Sequence, residues 1–61
     1  MNYNKLLEDY LNKDGNLYKL IYFDETEEGI YVTYREILER DKNTVIPLFD
    51  LLTFVYSKIS V

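Results

Sequence analysis

Residues 45–61 are apolar on nearly every side, and this constrains a short chain more than any other feature. Read as a helix from Pro47, the segment sets Asp50, Thr53, Ser57 and Ser60 three and four residues apart. They form one polar stripe roughly 80° wide. Leu48, Phe49, Leu51, Leu52, Phe54, Val55, Tyr56 and Ile59 fill most of the remaining circumference, with Lys58 off the stripe. An ordinary surface helix buries one face and solvates the other, whereas a helix apolar almost all round needs cover on most sides. A chain of 61 residues has little else to cover it with. A second copy of the chain, or a partner protein, is the simplest cover.

Size sharpens the point. A chain of this length makes one domain, residues 1–61, and buries only about 60% of the surface its unfolded form exposes. Small domains compensate with disulfides, metals or oligomerisation. There is no cysteine and no histidine, so disulfides, thiolate ligands and imidazole ligands are all unavailable. Self-association, with a homodimer as the expected form, follows by elimination. No metal or cofactor is expected.

Eleven acids against seven bases leave a net charge of −4. The bases are scattered, whereas nucleic-acid binders cluster Lys and Arg against phosphates, so no direct nucleic-acid partner is expected. No apolar leader opens the chain. The longest apolar-rich stretch, residues 45–59, is too short and too often interrupted by polar residues to span a bilayer. A soluble, cytoplasmic protein is the expectation, in the host cell if a phage encodes it.

Along the chain, residues 2–12 place Tyr3, Leu6, Leu7, Tyr10 and Leu11 on one helical face, and Gly15 follows as a stop. Residues 17–23 are aromatic and β-rich, and strict alternation predicts Leu17, Lys19, Ile21 and Phe23 on one face with Tyr18, Leu20 and Tyr22 on the other. An acidic loop over residues 24–29 leads to a second strand over residues 30–33. Thr33 and Glu36 match a capping box, predicting a short helix over residues 34–40 with Tyr34, Ile37 and Leu38 inward. Residues 41–44 read as a loop. Pro47 suits the first turn of the last helix; its β-branched tail from Thr53 also suits a strand, with helix preferred. The predicted architecture is a small α+β domain of order α-β-β-α-α, an antiparallel hairpin packed by helices and completed by homodimerisation.

The acids Asp24, Glu25, Glu27 and Glu28 are the densest charge feature. They suit a docking patch for a basic surface, or a solvated hairpin tip that keeps the chain soluble. The loop is half the length a calcium loop needs. Seven tyrosines and three phenylalanines supply either core packing or interface anchors. Arg35 and Glu39 fit an (i, i+4) pair on a helix surface. Ser57 and Ser60 have no histidine to activate them, the paired carboxylates are mere sequence neighbours, and the two glycines are far apart. No enzyme is expected.

These observations lead to a non-catalytic protein–protein interaction module. The specific expectation is a small acidic inhibitor that binds and blocks another protein, of the kind phages and mobile elements direct at host enzymes or defence systems. Its target interface is expected at Tyr22, Asp24, Glu25, Glu27, Glu28 and Tyr31. Self-association is expected through Phe49, Leu52, Phe54 and Tyr56. The rival readings are a nucleic-acid mimic, whose acids would form a continuous band, and a purely structural oligomerising subunit.

Overall fold

The structure, a computed structural model, describes residues 2–59. Helix α1 (Tyr3–Leu11) is followed by strands β1 (Tyr18–Thr26), β2 (Gly29–Glu36) and β3 (Lys42–Pro47), and by helix α2 (Leu48–Ile59). The strands form an antiparallel meander with β2 in the centre. This is the α+β class expected from the sequence, but the order is α-β-β-β-α rather than α-β-β-α-α.

Helix α1 forms where its apolar spacing places it. Asn2 caps its first turn by accepting the Lys5 N–H on its side-chain oxygen at 3.2 Å. Past its end, Gly15 takes a positive φ of 89° and donates its N–H to the Asn12 carbonyl. The β1–β2 hairpin is tighter than expected. Its strands run on to Thr26 and back from Gly29, so Glu27 and Glu28 alone make the turn. Gly29 is obligatory, because at φ 151° a Cβ would run into the Ile46 carbonyl oxygen of the neighbouring strand.

Two local rules read from the sequence are overturned by the sheet. A β-bulge between Leu20 and Tyr22 breaks the strict alternation of β1. Tyr18, Leu20 and Phe23 therefore share the helix-side face, while Lys19 and Tyr22 share the other. The capping box is not used either. Thr33 lies inside β2, and the alternation of Ile30, Val32 and Tyr34 toward the helices continues the strand to Glu36. The predicted helix over residues 34–40 is thus strand and then turn, and Ile37 and Leu38 point out of the core.

The predicted loop over residues 41–44 instead opens the third strand. Thr44, Val45 and Ile46 are β-branched and suit a pleated surface, and Pro47 is tolerated because β3 lies at the sheet edge. Helix α2 then starts directly after Pro47 and runs through Ile59, settling its tail as helix; Ser60 lies outside the described residues. The core is small: Leu7 from α1, Ile30 and Val32 from β2, Ile46 from β3 and Leu51 from α2. Leu6, Tyr10, Leu11, Leu20, Phe23 and Tyr34 pack around it.

Candidate interaction surfaces

Because Leu7 and Leu51 share one buried cluster with the strand residues Ile30, Val32 and Ile46, both helices lie on one face of the sheet. The register places Lys19, Tyr22, Asp24, Tyr31, Thr33, Arg35, Asn43 and Val45 on the opposite, open face. Tyr22 and Tyr31 meet there edge to face, 6.4 Å between ring centroids. The Thr33 hydroxyl donates to the Tyr31 phenol oxygen at 3.4 Å, which orients that ring. The other ring pairs belong to the covered side: Tyr3 stacks on Phe23 and Tyr18 meets Tyr34 edge-on.

The acids do not assemble as a single array. Asp24 lies on the open face, and its carboxylate accepts the N–H of Glu25 at 2.9 Å. Glu25 is paired with Ile30 and so belongs to the helix side, while Glu27 and Glu28 occupy the turn. Of the expected target residues, the sheet therefore brings together Tyr22, Tyr31 and Asp24, with the turn acids at their rim. Asp24, Glu25, Glu27 and Glu28 are thus divided between the two faces of the sheet and its turn.

Helix α2 splits its apolar residues between two faces. Leu51 enters the core. Phe54 meets Tyr10 of α1 edge-on at 5.5 Å and lies under the Lys58 ammonium at 5.3 Å. Phe54 thus faces α1, apart from Phe49, Leu52 and Tyr56, with which the sequence had grouped it. Those three are joined instead by Ile59. Phe49, Leu52, Tyr56 and Ile59 follow a three-four-three spacing and are 78, 49, 69 and 70% exposed. This is the a/d spacing of a helix-packing seam.

A third apolar group was not anticipated. Leu17, Ile37 and Leu38 are all exposed at the end of the sheet away from the acidic turn, Leu38 completely. Leu38 also holds φ at 67°, the left-handed region that costs a side-chain-bearing residue about 1–2 kcal/mol. Beside it Arg35 pairs with Asp41 at 3.7 Å, in place of the expected helical partner Glu39. Exposure of this kind is decided by topology, so no local pattern announces it.

The outer edge of β1 is capped by side chains at its first residues. The Tyr18 N–H donates to Asn12 Oδ1 at 2.7 Å, and Asn12 Nδ2 returns a bond to the Tyr18 carbonyl at 3.0 Å. Two residues on, the Leu20 N–H donates to Glu8 Oε2 at 3.0 Å. Helix α1 thus supplies what a fourth strand would. Asp9, on the same helix, accepts Lys5 at 3.2 Å and Lys58 of α2 at 2.7 Å, tying the two helices together. The Lys58 hydrogen bond, and then that of Lys5, hold its carboxyl below the ordinary value of 3.8.

Among the described residues no group of three or more acidic side chains gathers around one point as a metal site does. No helix among them is long and apolar enough to cross a membrane. The chain matches no protein-family model, no curated protein and no solved structure.

Proposed function

We propose that the protein is a non-catalytic interaction module: a self-associating, acidic inhibitor that docks on another protein and blocks it. One observation carries this reading. Among the described residues, eleven large hydrophobic residues are exposed against five that are buried, so the apolar surface left over exceeds the core. Contiguous exposed apolar surface marks interaction sites, and here it is gathered into separate patches. The open sheet face carries the target, with Tyr31 and Tyr22 as anchors and Asp24, Glu27 and Glu28 steering a basic partner. The α2 seam carries self-association. A phage or mobile-element role against a host enzyme or defence system is the setting that a short, acidic chain suits.

The test uses matched baits in lysate of the native host. Wild-type protein, Tyr31→Ala, and a double reversal of the turn acids Glu27 and Glu28 to Lys are compared for one captured partner. Loss of a buried Tyr should speed dissociation, whereas the charge reversal should slow association and flatten its salt dependence. A partner retained equally by all three baits moves the docking site off the sheet. A capture that returns only the protein itself leaves the structural-subunit reading in its place.

A further inference from the structure

The two edges of the sheet are treated differently, and hydrogen-bond parity shows which groups are free. The Leu20 N–H points away from β2, to Glu8, so Leu20 and Tyr34 form a non-hydrogen-bonded pair. In an antiparallel sheet such pairs alternate with bonded ones, so the N–H and C=O of Tyr34 face β3. The bonded pairs between β2 and β3 are therefore Tyr34 with Lys42, Val32 with Thr44, and Ile30 with Ile46. By the same alternation the N–H and C=O of Asn43 and Val45 point outward, off the sheet. Among the described residues no hydrogen bond reaches those outward groups.

We infer that β3 pairs antiparallel with β3 of a second copy about a two-fold axis at Thr44, making one continuous six-stranded sheet. This rests on the self-association reading above and specifies its seam. Asn43 of each copy faces Val45 of the other, so both outward N–H and C=O groups of each strand are satisfied. Shifting the register toward Pro47 forfeits a bond, because proline has no N–H. At the axis Thr44 meets Thr44 of the second copy on the helix side, a favourable cross-strand pair.

Three further features select a second copy as the occupant. Pairing the two open edges leaves only β1 edges outside, where Asn12 and Glu8 already hold Tyr18 and the Leu20 N–H, and Asp24 the Glu25 N–H, so a further strand has few free groups to pair with there. Charge is also suited: residues 43–49 and 51–57 carry no charge in a chain of net −4, and only Asp50 interrupts them. Finally, α2 follows β3 without an intervening residue and packs on β2 and β3, so the two α2 helices flank the axis on one face. Phe49, in the first turn of α2 just past the end of β3, is 78% exposed and adds apolar surface next to that seam.

The experiment is amide hydrogen exchange by NMR on the intact protein over a concentration series, with sedimentation run alongside. Thr44 and Ile46, bonded to β2 in either state, should be slow throughout. Asn43 and Val45 should slow by roughly tenfold or more as the dimer forms. In a mixture of labelled and unlabelled protein, contacts between Thr44 of the two copies should appear. Asn43→Pro removes one outward donor and leaves the β2–β3 ladder intact, and it should weaken the dimer by about tenfold. A dimer whose Asn43 and Val45 amides exchange freely overturns the β3 seam and leaves self-association standing. A monomer at high micromolar concentration overturns both.

Discussion

The two flanks of the molecule solve the same problem in opposite ways. On the β1 flank, an amphipathic helix caps the start of the strand edge with Asn12 and Glu8 and buries Leu7 completely. On the β3 flank the strand edge is bare, and the helix that follows leaves Phe49, Leu52, Tyr56 and Ile59 outward. Polar side chains that terminate a sheet are cheap for a chain that has them in a neighbouring helix, and α1 has them. Among the described residues, the polar Asp50, Thr53 and Ser57 of helix α2 make no such bond to the β3 edge. The comparison teaches that the chain finishes one flank itself and leaves the other open to a partner.

The sharpest way to break that contrast is to remove one apolar residue from each flank. Leu7→Ala should cost about 2–5 kcal/mol, because it empties a fully buried position in a five-residue core. Phe49→Ala should change monomer stability by no more than about 0.5 kcal/mol and weaken self-association instead. Chemical denaturation at low protein concentration measures both. Equal losses would mean that α2 is as enclosed as α1, and the contrast would fail.

Next in size is the seal itself. Asn12→Ala removes both bonds to the Tyr18 backbone and should cost about 1–3 kcal/mol. It also converts the closed edge into an open one. Higher oligomers should then appear as concentration rises, read by sedimentation, while the wild type stops at one species. Unchanged assembly would show that the β1 edge is guarded by something other than Asn12.

These differences were unevenly legible in the sequence. Helix α1 and the hairpin could be read because three-four spacing and a short aromatic run between turn residues are local signals. The helix at α2 was legible for the same reason. β3 was missed because Lys42, Asn43 and Thr44 look like loop until their pairing with β2 is known, although the β-branched Thr44, Val45 and Ile46 ahead of an edge proline were a usable hint. The capping box at Thr33 and Glu36 failed because tertiary pairing outweighed a local motif: Val32 and Tyr34 gain more against the helices as strand than as helix. Of the surfaces, Tyr22 and Tyr31 do lie together on the open face, and the bulge at Ile21 is what places Tyr22 there. Ile37 and Leu38 were assigned inward since apolar residues usually are; only the tight turn to β3 exposes them.

A smaller effect comes from that turn. Leu38→Gly should stabilise the protein by up to about 1 kcal/mol, since glycine accepts a φ of 67° without steric penalty and a fully exposed leucine has no packing to lose. The gain is partly offset by the greater freedom of glycine in the unfolded chain. Thermal unfolding measures it. If the substitution lowers stability, Leu38 is covered in solution, and the exposed end of the sheet is a working surface.

The smallest effect, and the one that isolates the tie between flanks, is the titration of Asp9. Its carboxyl is held below its ordinary value of 3.8, first by the hydrogen bond from Lys58 and then by that from Lys5. A carboxylate with a depressed folded-state pKa contributes stability that is fully present above the unfolded value and is lost as pH falls through the folded one. The protein should therefore loosen in acid, below pH 3.8, as protonation of Asp9 releases Lys58 and the C-terminal end of α2 from α1. Lys58→Met should remove most of that acid dependence and the associated downward shift, leaving Lys5 as the residual cause. Carbon-detected NMR titration of the Asp9 carboxyl in both proteins decides it. An Asp9 that titrates at the ordinary value in the wild type would mean that the helices are not tied there, and that α2 is held to the body by Leu51 and Phe54 alone.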